Sequence, residues 1–97
     1  MTEDDIRTAL REVMDPEIGV NIVDLGLVYG IDVDDPHVRV RLTMTSPACP
    51  MAGYVVDAAT TVVRERFPTC NVDVDMVWDP PWEPSMMTPE VRQHLGW

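Results

Sequence analysis

A length of 97 residues suits one compact domain, residues 1–97, and a hydrophobic content of 45% allows it a core of its own. Seventeen acidic residues against seven basic ones give a formal net charge of −10, so neither nucleic acid nor an anionic membrane is expected as a partner. Two cysteines are too few for a disulfide scaffold or a four-ligand metal site, and the chain shows no signal-like or membrane-spanning run, so a cytoplasmic location is predicted.

The first predicted element is a helix that begins at a capping box. Thr2 and Asp5 have the spacing of an N-cap and the third helical residue. Apolar residues then recur at helical spacing from Ile6 to Met14. Pro16 is expected to end this helix, because the residue before a proline is displaced from helical geometry.

A loop and a hairpin are predicted next. Residues 15–26 follow neither helical nor strand periodicity, which indicates an ordered loop with room for a short helical turn. Residues 27–33 and the alternating residues 38–44 predict two strands. Residues 34–36 favour a turn, so the two strands are expected to form a hairpin.

The second half of the chain predicts two helices and one more strand. A helical stripe over residues 50–67 predicts helix two, and the alternation of residues 72–78 predicts strand three. A proline-rich extended stretch follows, and Thr88 and Pro89 then begin a short helix that Gly96 closes. The order α-β-β-α-β-α predicts an α/β (α+β) two-layer sandwich, with helices on a small mixed three-stranded sheet.

Charges on the predicted strands suggest how the strands pair. Arg39 and Arg41 occupy alternate positions of strand two, and Asp73 and Asp75 do so on strand three. Opposite charges on neighbouring strands stabilise a sheet, so we expect these two pairs to meet across it.

Cys49 is the residue best suited to chemistry. It precedes Pro50, and if Pro50 is the first helical residue, Cys49 is the N-cap, where free N–H groups and the helix dipole favour a thiolate. Thr43 and Thr45 are expected to offer hydroxyls to the same region. The alternative is that Cys49 is a buried small hydrophobe, which is the role we expect for Cys70.

The loop carries acidic residues that have two possible roles. Asp15, Glu17 and Asp24, with Asn21, could bind a metal or act as bases. The local alternative, favoured for Asp15 and Glu17, is that these side chains satisfy backbone amides, with Asp15 capping or terminating helix one. Asp24 lies in an apolar run and is expected to be partly buried with a specific hydrogen bond.

An apolar group near the C-terminus is a candidate contact surface. It contains the tryptophans and methionines of the tail, namely Trp78, Trp82, Met86, Met87 and Trp97. We expect this group to seal one face of the sheet, and a patch that binds a partner is the alternative.

Two segments resemble a known family. Residues 15–29 (DPEIGVNIVDLGLVY) look like the opening signature of the family called domain of unknown function fifty-nine. Residues 42–51 (LTMTSPACPM) look like its second signature, a Thr-x-Thr strand end leading to Cys-Pro. The resemblance implies a role in maturing iron–sulfur proteins, as for SufT-type factors, the eukaryotic cytosolic targeting factor and PaaD. It maps the functional cysteine onto Cys49 and the loop acids onto Asp15, Glu17 and Asp24.

The resulting prediction is a non-enzymatic assembly or targeting factor for iron–sulfur clusters. Cys49 would contact iron, a cluster or a client transiently, with the assembly machinery or apo client proteins as partners. One such thiol cannot hold a cluster alone, so a cluster would be shared in a homodimer, with two further ligands from glutathione or partner thiols.

Three alternatives remain. The first is a pure adaptor that recruits clients through its acidic surface and tryptophans, and the second is a PaaD-like role in phenylacetate oxidation. The second is disfavoured because the chain ends without the cysteine-rich C-terminal segment of PaaD-type members. The third, a thiol enzyme with Cys49 as nucleophile, lacks a base, since neither His37 nor His94 is placed for that role.

Overall fold

The computed structural model describes residues 2–45 and 52–96. It confirms the predicted α-β-β-α-β-α order. The elements are α1 (Glu3–Leu10), β1 (Val28–Asp34), β2 (His37–Leu42), α2 (Ala52–Arg66), β3 (Asn71–Met76) and α3 (Pro89–Leu95), with a short 3-10 turn at Pro84–Met86 before α3.

The sheet is mixed, as predicted, and its order is β1-β2-β3. β1 and β2 are antiparallel and joined by a tight turn, whereas β2 and β3 are parallel. Two parallel strands need a crossover connection, and α2 supplies it. β2 is therefore the central strand, and β1 and β3 form the two edges.

The core lies between the sheet and the helices. Val38, Val40 and Leu42 alternate along β2 and are at most 1% exposed. They belong to one cluster with Leu10 of α1 and Val55 of α2. Because successive strand residues point to opposite faces, this alternation leaves Arg39 and Arg41 on the other, open face of the sheet.

Helix one is shorter than predicted. Its capping box is present, with the Asp5 amide donating to Thr2 Oγ1 at 3.2 Å, but the helix ends at Leu10 and not at Pro16. A turn follows instead, with the Val13 amide donating to the Leu10 carbonyl, and the chain then pairs with residues 21–22: the Ile22 amide donates to the Val13 carbonyl, and Met14 forms a bridge with Asn21. The helix prediction from apolar spacing was wrong for residues 13–14, because these residues pair locally with residues 20–22 in an antiparallel manner.

The predicted cross-strand ion pairs are half correct. Arg39 Nε lies 3.7 Å from Asp75 Oδ2, but Arg41 turns away from β3 and its Nη1 lies 2.7 Å from Asp32 Oδ2 on β1. Gly30 is directly opposite Arg41, and the guanidinium occupies the space that a side chain at Gly30 would need. Because glycine has no side chain, the Arg41 guanidinium can pass over Gly30 and reach Asp32.

The last helix follows the prediction. Thr88 Oγ1 accepts from the Val91 amide, and Gly96 closes the helix in the left-handed conformation with φ of 73°. The predicted second helix agrees with α2 over the part that is described. Within residues 2–45 and 52–96, no helix is long and apolar enough to cross a membrane.

Candidate functional site

Cys49 lies outside the described residues, as do the other residues of 46–51 and Trp97. Its placement at the start of α2 therefore stays a prediction. The other predicted site residues lie in three described segments: residues 43–45 after β2, the loop before β1, and the segment after β3.

Asp15 organises the loop before β1. Its side chain is 1% exposed, and Oδ1 accepts hydrogen bonds from the Glu17 amide at 2.9 Å and the Ile18 amide at 3.2 Å. The Gly19 amide donates to the Asp15 carbonyl at 2.7 Å and completes one helical turn. Asp15 thus satisfies local amides, but it caps this turn and not helix one, contrary to the prediction.

Asp24 has the specific partners expected of it. Asn21 Nδ2 donates to Asp24 Oδ2 at 2.9 Å, and the Asp24 amide donates to Asn21 Oδ1 at 2.9 Å. Arg11 Nε lies 3.9 Å from the second carboxylate oxygen. The Asp24 carbonyl also accepts from the Thr88 amide at 3.0 Å, so this residue joins the loop to the C-terminal part of the chain.

The segment 77–88, here called the C-terminal strap, is fastened to the loop and to β1. Trp82 Nε1 donates to the Leu25 carbonyl at 2.8 Å, and the Tyr29 hydroxyl donates to the Pro80 carbonyl at 2.8 Å. The strap backbone at Met86 packs so closely on Gly26 that a Cβ at Gly26 would collide with it. Trp82 is partly buried and packs against the core, whereas Trp78 is 42% exposed.

The strap brings four of the predicted site residues together. Thr43, Thr45, Trp78 and Trp82 line a cavity of about 160 Å³, together with Met44 and Pro81. Thr43 is 1% exposed, and its hydroxyl meets hydrogen-bond geometry with none of residues 2–45 and 52–96. One of the lining residues, Thr45, is the last described residue before the segment 46–51 that contains Cys49.

Tyr29 is a site residue that the sequence analysis missed. Burial raises the pKa of the Tyr29 phenol above its usual 10.0, and the charges of Glu83 and Asp79 raise it further. The nearby Thr43 hydroxyl opposes that pKa rise without forming a well-aligned hydrogen bond. No local pattern marks Tyr29, because its partners lie far along the chain.

The described residues do not form a metal site by themselves. Across residues 2–45 and 52–96, no group of three or more His, Cys, Asp or Glu side chains could hold a metal ion. Cys70 is a free, partly buried thiol that packs against the core, as predicted.

The sequence matches a known protein family and curated relatives. Residues 3–76 match the family described as iron-sulfur cluster assembly protein. The chain is 44% identical over 85 residues to the Fe-S protein maturation auxiliary factor SufT of Staphylococcus aureus, covering 87% of this chain and 97% of that one. It is 41% identical over 96 residues to the Fe-S protein maturation auxiliary factor of Porphyromonas gingivalis, covering 98% and 91%.

A solved structure shows the same fold. The crystal structure of a domain of unknown function DUF59 from Bacillus anthracis is 40% identical, with a TM-score of 0.92 over 97% of this chain and 91% of that one. The chain belongs to the iron-sulfur cluster assembly protein family.

Proposed function

We propose, from its membership of this family, that the chain is an accessory factor in the assembly or targeting of iron–sulfur clusters. The single observation that carries the proposal is the family match over residues 3–76, which extends from α1 to the end of β3. Its relatives are named auxiliary factors, and in keeping with that the chain acts by contact and transfer, without catalysing a reaction. Its partners are the assembly machinery or apo client proteins.

Cys49 makes the transient contact with iron, a cluster or a client. Its position before Pro50 supports this role, because an N-cap thiol has free backbone N–H groups beside it and a lowered pKa. The loop acids Asp15, Glu17 and Asp24 and the hydroxyls of Thr43 and Thr45 support the site. A cluster is cargo, held between two copies of the chain with ligands that one chain lacks.

The test is reconstitution with iron and sulfide under anaerobic conditions, followed by absorption spectroscopy. The wild-type chain is expected to gain sulfur-to-iron charge-transfer bands, and Cys49→Ser is expected to lose them. Cys70→Ser is the matched control, because Cys70 is the other thiol and packs against the core. A spectrum unchanged in Cys49→Ser would remove Cys49 as a ligand.

A second candidate function is a pure adaptor, and the exposure of Trp78 favours it. Here Trp78, Trp82 and Met86 bind clients, while Cys49 only packs. Trp78→Ala is the cleaner test, because Trp82 donates to Leu25 and its loss would loosen the strap. If Trp78→Ala abolishes capture of a purified apo client and Cys49→Ser does not, the adaptor role is preferred.

A further inference from the structure

The cavity between residues 43–45 and the C-terminal strap contains a buried polar atom that the fold does not satisfy. Thr43 lines this cavity and is 1% exposed, and its hydroxyl meets hydrogen-bond geometry with none of residues 2–45 and 52–96. A buried polar group without a partner costs free energy, and native folds keep such a group where a water, an ion or a ligand completes it. The Thr43 hydroxyl is therefore available to a ligand in this cavity.

The size and lining of the cavity limit what can occupy it. Its volume of about 160 Å³ exceeds what one water fills and is below the roughly 300–1,000 Å³ of a pocket for a drug-sized molecule. The lining is mostly apolar, because the two threonines are accompanied by Met44, Trp78, Pro81 and Trp82. Several waters would find few hydrogen-bond partners there, whereas one side chain with an apolar stem and a polar end would match both parts of the lining.

The charges beside the cavity decide the sign of that polar end. None of the six described residues that line the cavity is charged, but the strap sequence WDPPWE places a carboxylate directly after each indole, as Asp79 and Glu83. Among residues 2–45 and 52–96, neither carboxylate forms an ion pair. Both charges raise the pKa of the Tyr29 phenol, so their negative field acts on the strap's contact with β1. A cation is therefore attracted to this end of the sheet, and an anion is repelled.

Among cationic side chains, lysine fits this lining better than arginine does. Lysine carries a compact ammonium on a flexible alkyl stem, so the stem packs on the apolar lining while the ammonium donates to a hydroxyl. Indole is also the strongest aromatic partner of a cation. The planar guanidinium of arginine presents more N–H donors than the hydroxyls of Thr43 and Thr45 can accept. All seven basic residues of this chain are arginines, so the lysine side chain must come from a different protein.

We propose that the cavity between residues 43–45 and the C-terminal strap binds the side chain of a lysine from a partner polypeptide. The ammonium donates to Thr43 Oγ1 and contacts the indoles of Trp78 and Trp82, while Asp79 and Glu83 attract it to the cavity. This binding rests on the proposed function for the source of the lysine, which is an apo client or a component of the assembly machinery. The contact itself needs neither iron nor Cys49, so it can fail while the cluster proposal stands.

The test is an NMR titration of the intact chain with a short, capped alanine peptide that has one central lysine. We expect saturable shifts of the Trp78 indole N–H and Thr43 amide signals, with a dissociation constant of about 1–10 mM. The matched peptide with norleucine keeps the alkyl stem without the ammonium and should bind at least about five-fold more weakly. The peptide with arginine should bind at least about two-fold more weakly than the lysine peptide.

Variants of the cavity separate the hydroxyl from the apolar lining. Thr43→Val keeps the shape of the cavity and removes the hydrogen bond to the ammonium, so it should weaken binding of the lysine peptide about ten-fold. The same variant should change binding of the norleucine peptide by less than about two-fold, since that peptide has no ammonium. Trp78→Leu keeps an apolar side chain without the aromatic ring and should weaken binding of the lysine peptide about three-fold.

A matched pair of double variants separates the carboxylates beside the cavity from the net charge of the chain. Asp79→Asn with Glu83→Gln should weaken binding of the lysine peptide about three- to ten-fold, because the attraction of two adjacent charges is lost. Asp57→Asn with Glu65→Gln removes the same charge from exposed positions of α2. This control should change binding by less than about two-fold, because salt screens distant surface charges.

Four results would each overturn the proposal. They are equal binding of the lysine peptide and either the norleucine or the arginine peptide, unchanged lysine binding in Thr43→Val, equal weakening by the two double variants, and no indole shift up to about 10 mM peptide. The peptide comparisons use the wild-type chain and hold even if a variant folds poorly. Reconstitution with iron and sulfide on the same wild-type sample tests the proposed function separately.

Discussion

The two faces of the sheet differ in burial and in the kind of side chain they carry. On the helix side, Val40 and Leu42 are fully buried, whereas on the open side the Arg39 side chain is 61% exposed and that of Asp75 is 56% exposed. Burial of apolar area contributes far more to stability than exposed ion pairs do. The helix side therefore specifies the fold, and the open side is free to carry binding chemistry.

The open face is itself divided along its length. Near Thr43 it is covered by the C-terminal strap, which Tyr29 and Trp82 fasten. Toward Asp34 and His37 it is bare and charged. The proposed site at Cys49 adjoins the covered end in sequence.

The largest expected effect is at the helix-side face. Leu42→Ala removes a fully buried side chain and should lower the free energy of unfolding by about 2–5 kcal/mol in chemical denaturation. Arg39→Ala, on the open side of the same strand, should cost less than about 1 kcal/mol. Equal losses would contradict the division between the two faces.

The next effect concerns attachment of the strap. Gly26 and Gly19 both have positive φ, 79° and 78°, but a Cβ at Gly26 meets the Met86 backbone, whereas a Cβ at Gly19 meets open space. Gly19→Ala should cost about 1–2 kcal/mol from the left-handed conformation alone. Gly26→Ala should cost about 2–4 kcal/mol by the same unfolding measurement, because the strap must also move. Similar costs at the two glycines would show that the strap is not held there.

Tyr29→Phe should have a smaller effect. Loss of the hydrogen bond to the Pro80 carbonyl should lower the free energy of unfolding by about 1 kcal/mol at neutral pH. The folded chain holds the phenol proton more tightly than the unfolded chain does, because the Tyr29 pKa is raised above 10.0. This stabilisation is complete below pH 10.0 and is lost as the pH rises through the folded-state pKa.

Thermal unfolding measured as a function of pH tests this predicted loss of stability at high pH. The unfolding temperatures of wild type and Tyr29→Phe are measured between about pH 8 and 11. Above about pH 10, the stability of wild type should fall more steeply with pH than that of Tyr29→Phe, so that the two curves converge. Parallel curves over this interval would mean that the phenol proton is not held more tightly by the fold.

Thr43→Val has the smallest expected effect and the opposite direction. It replaces a buried hydroxyl, which lies near the Tyr29 phenol but meets hydrogen-bond geometry with none of the described residues, with a methyl group of similar size. The free energy of unfolding should stay the same or rise by up to about 1 kcal/mol. A clear destabilisation would show that the hydroxyl has a partner. A stable variant that fails in cluster reconstitution would assign Thr43 a role in the site.

Much of the fold was predictable because its signals are local. The capping box of α1, the alternation of β2 and the Thr88 and Gly96 caps of α3 each lie within a few residues and were all confirmed. Met14 was placed wrongly because helical spacing cannot detect a competing pairing with Asn21. The chemistry of Cys49 remains a prediction from sequence and family.

The sequence by itself determined which face of β2 and of α2 is buried, since strand alternation and helical spacing act within one element. Only the tertiary structure decided that Tyr29 holds Pro80, 51 residues away, and that Trp82 holds Leu25, 57 residues away. It also decided that Arg41 crosses Gly30 to reach Asp32 and that β1 and β3 are the two edge strands. Such contacts depend on how separate elements stack, and local periodicity carries no information about that.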